Sequence, residues 1–191
     1  MMPATPPVKS LPPWAVWVIG VALLGAAWGV VQLTPSDDAI QAPFVVAASV
    51  GEKATARAFD VTVTDPRLGD TAFDQKGWYG DGTWLVVDIE AESRQVEQGA
   101  LLGNIVFVSD GVTYTASERP SSALPLSLRT GIPQTGSVAF ELPEGVAQRP
   151  GVIQISLDIE TRLDSLVEVP IDLAELTRHD DVEMRATGWT P

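Results

Sequence analysis

The sequence predicts an all-β fold, an antiparallel β-sandwich preceded by a single N-terminal transmembrane helix. Three observations predict it. Residues 14–33, WAVWVIGVALLGAAWGVVQL, form one charge-free run. Beyond residue 50, apolar residues recur with period two, the spacing that turns one face of a strand inward. Gly, Pro and Asp turn signals separate these segments, and few stretches carry a helical period.

The helix comes first. Twenty residues at 1.5 Å rise span about 30 Å, the hydrocarbon thickness of a bilayer. Trp14, Trp17 and Trp28 lie toward its two ends, where indoles favour the interface. Lys9 precedes the run, whereas Asp37 and Asp38 follow it. The positive-inside tendency therefore predicts a single-pass anchor in the cell membrane, with residues 1–13 a short cytoplasmic tail and the C-terminal domain extracytoplasmic. A cleaved signal peptide is the rival expectation, with Val46-Ala47-Ala48 as its cleavage site. The apolar run is long for that role and the site lies well past its end, so retention is favoured. Gly25 and Gly29 form a G-x-x-x-G pair, but small residues are common in such spans.

Residues 34–50 read as a linker and the entry to a first strand, 51–173 as the sandwich, and 174–191 as a C-terminal tail that is loose after one helical turn. Within RAFDVTVTD, Phe59, Val61 and Val63 alternate with Asp60, Thr62 and Thr64. TWLVVDIEAES sends Leu85, Val87, Ile89 and Ala91 inward, and Asp88, Glu90 and Glu92 outward. NIVFVSD is a buried strand, and Asp110-Gly111 turns it tightly into VTYTA. LRTGIPQTGSVAFELPEG holds a strand over Gln134–Leu142 between two turns. A phosphate cradle would need a helix directly after its glycines, and here they open onto a strand. VIQISLDIE points Ile153, Ile155, Leu157 and Ile159 inward. LVEVPIDL does the same with Val167, Val169, Ile171 and Leu173, and Pro170 marks it as an edge strand.

FDVTVTDPRLG, GDGTWLVVDIEAES and LRTGIPQTGSVAFELPEG together resemble a family of telokin-like, immunoglobulin-type domains, secreted or membrane-anchored and common in actinobacteria. The likeness spans most of residues 50–173. It implies an immunoglobulin-like sandwich with neither catalytic residues nor a cofactor. Family members often close the second strand with Asn, where this chain has EAESRQ.

Composition narrows the chemistry. No cysteine is present, so disulfides, thiolate metal sites, thiol nucleophiles and a lipidated N-terminus are excluded. After residue 33 the chain carries 11 basic and 25 acidic residues, a balance of −14. Nucleic acid, which needs a basic stripe, is not the expected partner. His179 is the sole histidine, no G-x-S-x-G elbow occurs, and carboxylate pairs are uninformative among 25 acidic residues. No enzyme is expected.

Two stretches merit weighing. Asp65, Asp70, Asp74 and Asp81 crowd TDPRLGDTAFDQKGWYGDG, which reads as a long loop. Calcium prefers several oxygen ligands, but the spacing matches no EF-hand and turn-forming aspartates explain it better. In KGWYGDGTW, Trp78, Tyr79 and Trp84 offer aromatic surface for a glycan, another small ligand or a partner protein. Capping of the sandwich by Trp78 or Trp84 is favoured over that use. The resulting expectation is a non-catalytic, membrane-anchored accessory domain that engages a cell-envelope protein or a transporter subunit. A ligand- or cell-wall-glycan-binding module is the alternative.

Overall fold

The computed structural model describes residues 12–34, 41–94, 100–120 and 122–189. The chain divides into two units, residues 1–41 and 42–191.

In the first unit, α1 (Pro13–Leu33) runs for 21 residues without a charge. Pro13 occupies the first turn, where its missing N–H costs nothing. The Thr34 hydroxyl closes the other end by donating to the Val30 carbonyl at 2.8 Å. The helix is apolar on every side and long enough to cross a bilayer, as membrane anchors and signal sequences both are. Lys9, Asp37 and Asp38, on which the expected orientation rests, lie outside the described residues.

The second unit is a β-sandwich. Its strands are β1 (Phe44–Ala47), β2 (Lys53–Thr55), β3 (Phe59–Asp74), β4 (Tyr79–Ser93) and β5 (Ala100–Leu102). There follow β6 (Asn104–Ser109), β7 (Val112–Thr115), β8 (Leu126–Leu128) and β9 (Gln134–Leu142). The last four are β10 (Pro150–Ser156), β11 (Ser165–Asp172), β12 (Arg178–Met184) and β13 (Gly188–Trp189). One sheet has the order β1-β11-β10-β6-β7, and the other β12-β3-β4-β9-β13 with β2 beside β3. A small pair, β5-β8, completes the set.

Period-two alternation delivers the core between the sheets. Phe59, Val63, Leu85, Ile89, Val138 and Phe140 meet Phe107, Ile153, Ile155 and Val167 there, all essentially without solvent contact. The β6–β7 hairpin turns on Asp110 and Gly111 with φ of 50° and 76°, the left-handed pair that a two-residue turn requires.

Five expectations need correction. The stretch read as a long loop is instead the continuation of β3 and the start of β4, joined by a tight turn at 75–78. Its Pro and Gly residues mark breaks in register between Thr64 and Arg67 and between Gly69 and Thr71, not an exit from the sheet. Residues 178–189 are not a loose tail, since β12 pairs in parallel with β3 and β13 pairs with β9. The sandwich is not wholly antiparallel, because β1 also runs parallel to β11. Finally, β10 stops at Ser156, whose hydroxyl donates to the Asp158 carbonyl at 2.6 Å, and Ile159 is 83% exposed. Pro170 lies on a strand with neighbours on both sides, but beyond the reach of β1, which covers only Ser165–Glu168.

Candidate functional site

The outer face of the second sheet carries Trp84, with Trp78 packed on it, and side chains that sequence did not single out. Trp78 closes the β3–β4 turn, and Asp74 builds that turn by accepting from the Lys76 and Trp78 amides at 2.9 Å each. Trp78 meets the edge of Trp84 at 5.5 Å between ring centres and 85° between planes. Trp84 is fully buried on this outer face among Ala72, Val86, Ala139, Val182 and Met184. Arg119 covers its ring at 6.0 Å and is held by Glu141 at 2.9 Å. Tyr79 is 71% exposed. The three aromatics thus do not form one stacking platform. Trp84 lies inside, Trp78 packs onto it, and Tyr79 faces solvent without them.

The four aspartates do not converge. Asp70 accepts from Arg178 at 2.7 Å, Asp74 is committed to its turn, and Asp81 faces the Thr71 hydroxyl at 3.4 Å. Asp65 and Asp74 are nine strand positions apart, about 30 Å at the usual rise. Among the described residues no three acidic or histidine side chains group to hold a metal.

Sequence reasoning missed a polar cluster around Asp88. Expected on a solvated face, Asp88 is instead buried. Its carboxylate accepts from Arg67 at 2.7 Å and from the Ser137 hydroxyl at 2.5 Å, and it pairs with Arg185 at 2.6 Å. Arg185 also reaches Asp65 at 3.2 Å, while its amide donates to Ser137 Oγ at 2.8 Å. The cause is the path of the C-terminal segment. β12 lies beside β3 and β13 beside β9, so residues 185–187 must cross the face of the sheet between them. Arg185 touches β3, β4 and β9 on the way, through Asp65, Asp88 and Ser137. Gly136 lies beneath this strap, where a Cβ would stand 3.2 Å from the Thr187 Cα and 2.8 Å from the Ala123 Cβ.

Two concavities flank these features. One, of about 310 Å³, lies beside the strap between Thr62, Thr64, Glu90, Thr135 and Arg185. A larger groove of about 580 Å³ opens where β6 and β7 meet the loop after β7.

Hydrogen bonds to Glu92 and Asp60 hold the Lys53 ammonium above the ordinary lysine range, and burial opposes them.

No protein-family model matches the chain, and no curated protein does. The resemblance to telokin-like domains therefore rests on the three segments quoted for it. Among solved structures, an uncharacterised β-sandwich protein from Clostridium difficile 630 is similar at 11% identity and a TM-score of 0.47. The match covers 73% of this chain and all of that one.

Proposed function

We propose that the chain is a non-catalytic, membrane-anchored protein whose sandwich engages another cell-envelope protein or a transporter subunit outside the membrane. The observation that carries it is the joining of a charge-free 21-residue helix to an acidic β-sandwich within one short chain. Such a helix places its cargo at a bilayer, and several charged groups on or over the second sheet are engaged in structural bonds. Asp74 builds a turn, Arg119 covers Trp84, and Asp88 fastens the strap. The resemblance of three segments to immunoglobulin-type domains agrees with this role. Glycan stacking gains no support from the packing of Trp78 and Trp84 onto one another.

The test is in-cell cross-linking of a C-terminally tagged copy followed by membrane purification. One membrane protein recovered in fixed stoichiometry is the expected result. Recovery of the tagged protein with cross-links only to itself or to wall glycan would overturn the proposal.

A further inference from the structure

β7 is the last strand of its sheet. Its hairpin alternation sets which main-chain groups are used. Ser109 and Val112 close the turn, and the Ala116 amide donates to the Ile105 carbonyl at 3.3 Å. Val112, Tyr114 and Ala116 therefore turn their main-chain groups toward β6, and Thr113 and Thr115 turn theirs outward. Those outward groups have no hydrogen-bond partner among the described residues.

An open edge of this kind invites pairing, and proteins commonly blunt it with charge or proline. β12, at the end of the other sheet, carries Arg178, His179, Asp180, Asp181 and Glu183. β7 reads VTYT, with neither a charge nor a proline. Beside its end lies the 580 Å³ groove, floored by Ile105, Val106, Ala116 and Leu124. Glu118 stands exposed on its rim, without an ion pair among the described residues.

We propose that the free edge of β7 takes up an extended segment of the partner protein by strand addition, one apolar side chain filling the groove and a lysine or arginine pairing with Glu118. Main-chain bonds to Thr113 and Thr115 supply attachment, and the groove and the carboxylate supply selection. The acidic balance of −14 opposes a second copy of this chain on the same edge and attracts a basic segment. This inference rests on the accessory-protein function above and names the surface and the chemistry of its partner.

The test uses the full chain in lipid nanodiscs and a fluorescent peptide of alternating valine and threonine with one lysine, followed by anisotropy. Saturable binding is expected, weakened several-fold when glutamate replaces the lysine and lost when alternate peptide amides are N-methylated. Thr113→Pro, which removes an outward N–H, abolishes binding, whereas Thr113→Ala, which keeps it, does not. No saturable binding of the lysine peptide, or equal binding of the N-methylated one, would overturn the inference without any altered protein being needed. If a cross-linked envelope partner is recovered equally from cells carrying Thr113→Pro, the accessory function stands and this edge is not its docking site. If no partner is recovered but the peptide binds as described, the accessory function fails and the edge remains a strand acceptor.

Discussion

Asp88 accepts from Arg67 and Ser137 and pairs with Arg185, so its charge is matched in a place that water hardly reaches. Removing one partner of a buried pair leaves the others uncompensated, which costs more than the pair contributes. Asp88→Ala is expected to destabilise the sandwich by about 3–5 kcal/mol, and Ser137→Ala by about 1–2 kcal/mol, in urea unfolding followed by tryptophan fluorescence. Gly136→Ala tests the same region sterically. A methyl pressed between Ala123 and Thr187 is expected to cost about 1–3 kcal/mol, and an unchanged midpoint would mean that the strap gives way freely. Lys53 makes a prediction in pH. Its folded-state pKa is raised, so its bonds to Glu92 and Asp60 add stability in full below its unfolded value of 10.5. That contribution is lost as pH climbs through the higher folded value. Unfolding midpoints of the native protein should fall more steeply above pH 10.5 than those of Lys53→Gln. Parallel curves would remove the lysine from the account.

Among elements, β12 and β13 bear the sharpest test. A chain ending at residue 177 loses the parallel partner of β3, the cover of Val182 and Met184 over Trp84, and the Arg185 clasp. It should unfold at lower urea than the full chain, with Trp84 reporting a more polar setting; a dispensable tail would leave both unchanged. The same elements show what was legible beforehand. β4, β9 and β11 declare themselves because one side of each alternates cleanly, and burial of Leu85, Val138 and Val167 follows. β12 does not, since RHDDVEM is an edge strand whose polar residues face water and whose two inward residues, Val182 and Met184, make too short a pattern. Pro66, Gly69 and Asp70 look like loop residues because bulges and turns draw on the same types. Asp88 carried a signal that alternation alone discards. Trp84 and Val86 are apolar at the positions preceding it on its own side of β4, which already implies a covered outer face. What covers that face is a segment nearly a hundred residues later, and no local pattern announces such a contact.

At the scale of the whole molecule, the anchor and the charge both make predictions. A retained helix keeps the protein in the membrane through alkaline carbonate extraction, whereas a cleaved one releases it at a shorter length. Because no native cysteine competes, His179→Cys on the exposed edge of β12 can be labelled alone in intact cells. An impermeant maleimide should reach it if the sandwich lies outside, and protection until lysis would place it within. The crossing strap has a further bearing on how such a protein is made. Arg178 and Asp70, joined across adjacent strands, are 108 positions apart, and Arg185 comes nearly a hundred positions after Asp88. Until those residues have emerged, β3 lacks β12 as a neighbour and Asp88 lacks one of its cations. The sheet therefore cannot close as its first strands form, and the strap is the latch that completes it.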